Sequence, residues 1–204
     1  MQKNEISRAT LGRIPIYLKY LRALPPEVVN ISATAIAKNL GFGEVQVRKD
    51  LGAVSGAGKP KIGYSTAELT ENLKSFLDRK NGDAVIVGAG KLGRALLDYG
   101  GFSDYGLTIL AAFDRDVGKT EFTGNGKPIL PMDTFSEFCK EHDVKIGIIA
   151  VPAESAQKIC NLFYDNNIKA MWCFAPCQLY KPADATIQYE NMALSLAHLK
   201  MQIK

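Results

Sequence analysis

An apolar run followed by a glycine-rich turn constrains this chain more than any other stretch. Residues 84–87 read Ala-Val-Ile-Val, which is typical of a buried parallel strand. Gly88, Gly90 and Gly93 then form a G-x-G-x-x-G pattern. The first glycine of such a pattern permits a tight turn, the second lets the backbone approach a pyrophosphate, and the third lets a helix pack closely on the strand. The stretch predicts a strand, a turn and a helix that bind a dinucleotide.

A second apolar run supports this interpretation. Residues 107–113 form another candidate strand, which leads to Asp114, 21 positions after Gly93. This spacing suits a carboxylate that binds the adenine ribose of NAD and repels the 2′-phosphate of NADP. We therefore expect NAD(H) to be preferred over NADP(H), although Arg115 could shield such a phosphate.

The rest of the second half alternates strands with helices. Such alternation implies a parallel sheet covered on both faces, so we predict an α/β fold in which residues 83–190 form a Rossmann domain. The predicted strands are 145–151, 168–174 and 186–189, and the predicted helices are 94–99 and 153–164.

The first third of the chain is basic. Residues 1–64 hold 10 Lys/Arg and 4 Asp/Glu, a net charge of +6, whereas residues 83–204 have a net charge of −2. This imbalance suggests that the first third binds a polyanion. A glycine turn at 41–43 separates two predicted helices, which is the helix-turn-helix arrangement, and the later helix would read DNA bases.

Three polar side chains of that reader helix, Gln46, Arg48 and Lys49, lie off its apolar stripe. Arg can bind guanine and Gln can bind adenine, while Lys suits phosphate. The alternative is a merely solvated helix face. Asp50 would oppose phosphates, so we expect it to be structural.

Residues 56–64 contain glycines and two lysines, Lys59 and Lys61, and are interpreted as a wing that follows the DNA backbone or enters a minor groove. The alternative is a flexible interdomain loop. A capping box at 65–68 then opens a helix that we expect to connect the domains, so the winged-helix domain with its connecting helix spans residues 1–82.

The last helix, predicted over residues 191–203, is apolar around most of its circumference. So wide an apolar surface favours more than one packing partner. Packing on the chain's own sheet is one possibility. Insertion into a second subunit, which would create a symmetric dimer, is the other.

Composition narrows the class of protein. The sequence contains no run of 18 apolar residues, so no membrane span is predicted. The N-terminus lacks the apolar core of a signal peptide. The four cysteines have neither the spacing of a disulfide framework nor that of a zinc site. We expect a cytoplasmic protein with reduced thiols, no membrane association and no metal. Cys173 and Cys177 could form a redox pair, although buried inert cysteine is commoner.

Two other function classes compete with DNA binding. A small dehydrogenase would need a general acid or base and a substrate domain, yet the two histidines, His142 and His198, follow no predicted strand and only one helix follows the Rossmann domain. We therefore do not expect an enzyme. A nucleotide- or CoA-binding module without a DNA role is the second alternative, and Asp114 and the basic reader helix argue against it.

Several motifs in this order resemble the Rex family of redox-sensing transcriptional repressors. The most specific combination is Gln-Val-Arg-Lys-Asp-Leu at 46–51, Val-Gly-Ala-Gly-Lys-Leu-Gly at 87–93 and Phe-Ala-Pro at 174–176. Further matches are Ile14-Pro15, Gly63-Tyr64, Phe113-Asp114, Val151-Pro152 and Ala156-Gln157.

The resemblance implies a homodimer that binds palindromic, AT-rich operator DNA when free or NAD⁺-bound and releases it when NADH binds. It also implies that the C-terminal helix, residues 191–204, is exchanged between subunits. With the residues of the reader helix and wing included, the predicted DNA contacts are Gln46, Arg48, Lys49, Lys59, Lys61 and Tyr64. The predicted cofactor contacts are Gly88, Ala89, Gly90, Lys91, Leu92, Gly93, Tyr99, Asp114, Arg115, Val151, Pro152, Phe174, Ala175 and Pro176. Arg13 and Tyr99 match positions that couple the two domains.

The chain also departs from the family pattern. Lys61 stands where the family has glycine, which predicts a differently shaped wing, and Cys173 replaces the usual Asn. In the family, a carboxylate early in the last helix often pairs with the coupling Arg or Tyr. Ala193 occupies that position in this chain, and Glu190 could take the place of the carboxylate.

Overall fold

Residues 6–78, 82–116 and 120–203 are described by the computed structural model. The chain divides into two units, Met1–Lys80 and Asn81–Lys204. Within the described ranges, no helix is long and apolar enough to cross a membrane.

The first unit is helical. Its elements are α1 (Arg8–Arg22), β1 (Asn30–Ile31), α2 (Ala33–Leu40), α3 (Glu44–Ser55), β2 (Tyr64–Ser65) and α4 (Thr66–Asp78). Ser32 caps α2 by accepting a hydrogen bond from the Ala35 N–H at 3.0 Å, and Gly41 ends it in the left-handed conformation. Gly41 thus begins the short turn that leads to α3, so the predicted helix-turn-helix is present.

Helix α4 belongs to the core of the first unit. Its Leu69, Leu73 and Leu77 are buried together with Tyr17 of α1 and Leu51 of α3. We expected this helix to be a connector, but its apolar stripe makes it a structural member of the DNA-binding unit. Strands β1 and β2 pair antiparallel at the base of the wing.

The second unit is a seven-stranded sheet with helices on both faces. Its strands are β3 (Gly82–Val87), β4 (Leu107–Asp114), β5 (Glu121–Phe122), β6 (Pro128–Pro131), β7 (Ile146–Ile149), β8 (Ala170–Cys173) and β9 (Thr186–Tyr189). Its α-helices are α5 (Lys91–Asp98), α6 (Phe135–Glu141), α7 (Ala153–Asp165) and α8 (Met192–Lys200).

The strand order is β5-β6-β4-β3-β7-β8-β9, and every pair is parallel except β5 with β6. The six parallel strands follow the dinucleotide-binding Rossmann order, in which the first strand lies at the centre. The chain reverses direction across the sheet between β3 and β7, and ligands of such sheets bind at the carboxyl ends of the strands at this point. The predicted α/β fold is confirmed.

The sheet buries both of its faces. Helices α6 and α7 cover one face through Phe135 and Phe163, which pack with Phe113 of the sheet. Helix α5 covers the other face, where its Leu97 is buried in one cluster with Ile86 of β3. Strands β5 and β6 and helix α6 were not predicted, and α8 is shorter than the predicted final helix.

Candidate nucleotide-binding site and nucleic-acid interface

The glycine turn after β3 is shaped by close backbone contacts. Gly88 has a φ of +104°, and a Cβ atom there would lie 2.4 Å from the Ala150 carbonyl oxygen and 3.0 Å from Val151 Cγ1. A Cβ atom on Gly93 would lie 1.9 Å from the Gly88 carbonyl oxygen. Only glycine fits either position, so the tight turn and the close helix packing predicted for these glycines are both present.

Gly90 differs from its neighbours because a Cβ atom there would have no heavy atom within 4 Å. The residue precedes α5, and none of the described side chains caps this helix end. Backbone N–H groups at a helix N-terminus attract anions. The open space at Gly90 and the N-terminus of α5 form a cradle at the position where the sequence predicts a pyrophosphate.

Asp114 lies beside this turn. Its Oδ2 accepts a hydrogen bond from the Ala89 N–H at 2.6 Å, and its Oδ1 accepts one from the Asp116 N–H at 3.0 Å. Both contacts fix the carboxylate at the end of β4, where a ribose-binding carboxylate is expected. The Arg115 side chain is exposed and pairs with Asp116 at 3.3 Å.

Arg94 is a residue that the sequence reasoning missed. Its Nε donates to the Ala89 carbonyl oxygen at 2.9 Å, and its Nη2 donates to Glu121 at 3.0 Å. The guanidinium therefore holds the glycine turn from outside. Its position directly after Gly93 was the available signal.

The carboxyl end of β8 carries an aromatic cluster. Trp172 contacts Phe174 with ring centroids 4.4 Å apart, and Phe102 packs edge-on against Trp172 at 6.1 Å. Tyr99 packs edge-on against Phe102 at 5.2 Å and is 62% exposed. The Trp172 indole N–H donates to Glu190 at 3.4 Å. Because Phe174 is one of the predicted cofactor contacts, this aromatic cluster lies beside the predicted cofactor site.

The remaining predicted cofactor residues occupy the same edge of the sheet. Val151 follows β7, and Pro152 precedes α7. Ala175 is buried, whereas Pro176 is exposed. Lys91 and Leu92 form the first turn of α5.

Three of the four thiols are buried. Burial raises the pKa of Cys139 to about 11 and also raises the pKa values of Cys160 and Cys173. Thiols protonated in this way are poor nucleophiles, which supports the interpretation of Cys173 as inert rather than as half of a redox pair.

The exposed face of α3 carries the predicted DNA contacts. Gln46, Arg48 and Lys49 are exposed, whereas Val47 and Leu51 are buried. Arg48 forms an ion pair with Glu44 one turn earlier on the same helix. That pair must rearrange or share the guanidinium for Arg48 to contact a base.

Asp50 lies on the inner face of α3 and is only 3% exposed. Its carboxylate accepts hydrogen bonds from Arg13 Nε at 2.6 Å and Nη2 at 2.9 Å, from Tyr17 at 2.8 Å and from Thr10 at 2.9 Å. Burial alone would raise the pKa of Asp50, but the hydrogen bonds from Arg13, Tyr17 and Thr10, with the Arg13 charge, hold it below its usual value. Asp50 is structural, as expected, and it supplies a partner for Arg13.

Arg13 also contacts the reader side chain Gln46. With the Gln46 amide oxygen turned toward Arg13, that oxygen accepts hydrogen bonds from Nη1 at 2.8 Å and Nε at 3.0 Å. The opposite amide orientation would place the NH₂ group, a donor, against the guanidinium N–H groups, which are also donors, so no hydrogen bond could form. Gln46 is therefore oriented by a residue of α1.

The wing keeps a tight turn despite its unusual residue. Lys59 and Gly63 exchange backbone hydrogen bonds of 2.7 and 2.8 Å. Between them Lys61 adopts a φ of +63°, the left-handed conformation that glycine favours. For lysine this conformation costs roughly 1–2 kcal/mol, whereas glycine adopts it freely. The different shape of the wing relative to the family stays a prediction.

Tyr64 requires a correction. It was predicted among the DNA contacts, but it is only 8% exposed. A Cβ atom on Gly58 would lie 2.9 Å from its ring. The ring supports the wing from beneath and does not lie on the surface.

In the described part of the chain, no three His, Cys, Asp or Glu side chains form a group that could hold a metal ion.

Two family models match the chain. Residues 5–52 match the one described as "Putative DNA-binding protein N-terminus", and residues 79–177 match "CoA binding domain". The fold and the site thus define a protein in which a helix-turn-helix unit precedes a Rossmann-type nucleotide-binding unit.

Curated relatives identify the family. The redox-sensing transcriptional repressor Rex of Clostridium botulinum is 34% identical over 97% of this chain and 95% of its own length. The Rex of Clostridium perfringens is 35% identical over 95% of this chain and 92% of its own. This chain belongs to the Rex family of redox-sensing transcriptional repressors.

Solved structures agree with this assignment. RSP, a Rex-family repressor, was solved in complex with β-NAD⁺ and operator DNA, and it superposes with a TM-score of 0.79 at 29% identity, covering 98% of this chain and 93% of that chain. The RSP complex with β-NADH superposes with a TM-score of 0.71 at 28% identity, covering 98% and 95%.

Proposed function

We propose that this chain is a cytoplasmic repressor that binds operator DNA through its first unit and releases it when NADH occupies its second unit. The observation that carries the proposal is the open glycine turn at the reversal point of a Rossmann sheet, in a chain whose other unit exposes a basic reader helix. The functional domains would be residues 1–82, 83–190 and 191–204. Sensing of this kind requires no catalysis.

The residues present fit a dinucleotide. Gly90 and the N-terminus of α5 would hold the pyrophosphate, and Asp114 would hold the adenine ribose through the oxygens that its backbone contacts orient. Val151, Pro152 and Phe174 would line the nicotinamide end. The oxidised nicotinamide ring carries a positive charge that the reduced ring lacks.

Trp172 and Phe174 provide the means of discrimination. Their rings form a mainly apolar surface, which disfavours the positive charge of the oxidised ring and favours the reduced cofactor. The Glu190 carboxylate beside Trp172 acts in the opposite direction, so the desolvation cost at the aromatic surface must outweigh it. Arg13 and Tyr99 would couple the two units. When NADH binds, the two reader helices of a dimer would lose the separation that matches successive major grooves, and the DNA would be released.

A gel shift on an AT-rich palindromic duplex tests this function. We expect the full chain to bind the duplex alone and with NAD⁺, and to release it with NADH. Because coupling is reciprocal, saturating duplex should weaken NADH binding by the same factor. NADPH should act more weakly because Asp114 repels its 2′-phosphate, and CoA serves as a control. Equal release by NADH and NAD⁺ would refute redox sensing.

We further propose that α8 joins two chains into a homodimer. The side chains of Leu194, Leu196 and Leu199 on this helix are 58–69% exposed, and Met201 and Ile203 beyond it are 76–84% exposed. A helix that is apolar around its circumference requires burial on several sides.

The dimer proposal predicts a monomer for Leu196→Glu, because a buried charge opposes association. Sedimentation would measure the mass, and Leu196→Met, which keeps the apolar surface, should remain dimeric. Duplex affinity should fall by about 100-fold or more in the monomer, because two half-sites no longer bind together. A dimeric Leu196→Glu variant would contradict this role of α8.

A further inference from the structure

The orientation of Gln46 has a consequence for which base it can recognise. We propose that Arg13 restricts Gln46 to donating hydrogen bonds, so that the reader helix selects a base edge rich in acceptors, guanine first, and does not select adenine. This inference rests on the proposed DNA-binding function and specifies part of it.

Gln46 is placed where a reader side chain meets a base. It is the third residue of α3 and is exposed, and the N-terminal residues of recognition helices contact base edges in the major groove. Its amide oxygen faces inward, where it accepts two hydrogen bonds from Arg13. The Nη1 hydrogen bond is the stronger of the two, because the single Nε hydrogen is also accepted by Asp50.

Arg13 is itself firmly held. Asp50 binds its guanidinium at two nitrogen atoms, and Tyr17 and Thr10 donate to the same carboxylate. The Asp50 carboxylate and the Gln46 oxygen share the Nε donor. Turning the Gln46 oxygen toward DNA would therefore break the Nη1 hydrogen bond, lose the shared Nε contact and leave the guanidinium partly unpaired.

This geometry changes the expected base preference. A free glutamine binds adenine by accepting from N6 and donating to N7. When the oxygen is occupied, only the NH₂ group remains for DNA. Guanine offers two acceptors, O6 and N7, whereas adenine opposes one of the two positions with its own N6 donor. The sequence-based expectation that Gln46 binds adenine therefore gives way to guanine.

Substitutions that keep or reverse the donor character test the inference. Full-length wild type, Gln46→Lys, Gln46→Glu and Gln46→Ala would each select from a random duplex pool. Lysine only donates and glutamate only accepts. We expect wild type and Gln46→Lys to enrich guanine at the same half-site position, Gln46→Ala to lose that preference, and Gln46→Glu to bind the guanine duplex about tenfold or more weakly.

Arg13→Lys tests the positioning residue itself. Lysine retains a charge for Asp50 but lacks the planar fork that holds the Gln46 oxygen. We expect this variant to accept adenine at the same position, a change of base preference that loss of stability alone would not produce. Thermal unfolding would check its fold, and the Gln46 variants test the inference independently.

Three results would overturn the inference. Enrichment of adenine by wild type at the Gln46-dependent position would contradict it, as would an unchanged selected sequence in Gln46→Ala. A wild-type chain that enriches no duplex at all would refute the proposed DNA-binding function and the inference with it, which is a distinguishable outcome.

Discussion

Gly90→Ala is expected to weaken nucleotide binding strongly and leave the fold intact. A Cβ atom there meets no protein atom within 4 Å, and the residue's φ of −68° suits alanine. The methyl group instead fills the space through which the backbone approaches a pyrophosphate. Overpacking of about 3 kcal/mol would weaken NADH binding by about 100-fold, measurable by fluorescence titration.

Gly93→Ala, in contrast to Gly90→Ala, should destabilise the fold. Its Cβ atom would lie 1.9 Å from the Gly88 carbonyl oxygen, so α5 must move away from β3. We expect a loss of about 3 kcal/mol in the free energy of unfolding, measured with urea. Gly124→Ala, which has open space around it, is the control for both measurements. A Gly90→Ala variant that binds NADH normally would contradict the pyrophosphate cradle.

Asp50→Asn is expected to destabilise the first unit by about 3 kcal/mol. The substitution leaves the Arg13 guanidinium, whose side chain is 17% exposed, without its carboxylate. Removing one partner of a buried ion pair is costly because the other charge remains desolvated. Asp78→Asn, on the exposed end of α4, should change the stability by no more than about 0.5 kcal/mol.

The Arg13–Asp50 pair also predicts how the free energy of unfolding changes at acidic pH. The pKa of Asp50 is held below its usual value in the folded chain, so its contribution to stability is fully present above the unfolded value of about 3.9. That contribution is lost as the pH falls through the folded pKa. Urea unfolding between pH 5 and pH 2 should therefore show a steeper loss for wild type than for Asp50→Asn, and parallel curves would rule out this linkage.

The central part of the fold was predictable because its signals are local. The turn at Gly88, Gly90 and Gly93 lies within one short stretch, and the strands near it are continuous apolar runs. Strand β6 gave no such signal because its four residues begin and end with proline, which is unusual inside a sheet. Strand β5 has only two residues, both exposed.

The site was predictable where a motif carries it and not where distant residues meet. Asp50 and Arg13 lie 37 positions apart, so nothing in either local pattern announces their contact. The orientation of Gln46 depends on that contact and was equally hidden. The Glu44–Arg48 pair, by contrast, follows from a spacing of four on one helix. Tyr64 was misplaced because a motif match carries no information on burial.

Trp172 gives the chain a built-in optical reporter. It is the only tryptophan among 204 residues, and it lies in contact with Phe174 and hydrogen-bonded to Glu190, just before α8. Indole emission overlaps the near-ultraviolet absorption of a reduced nicotinamide, which an oxidised one lacks. The chain thus carries a single indole beside the predicted cofactor site, and the emission of that indole could follow which redox form is present without any attached dye.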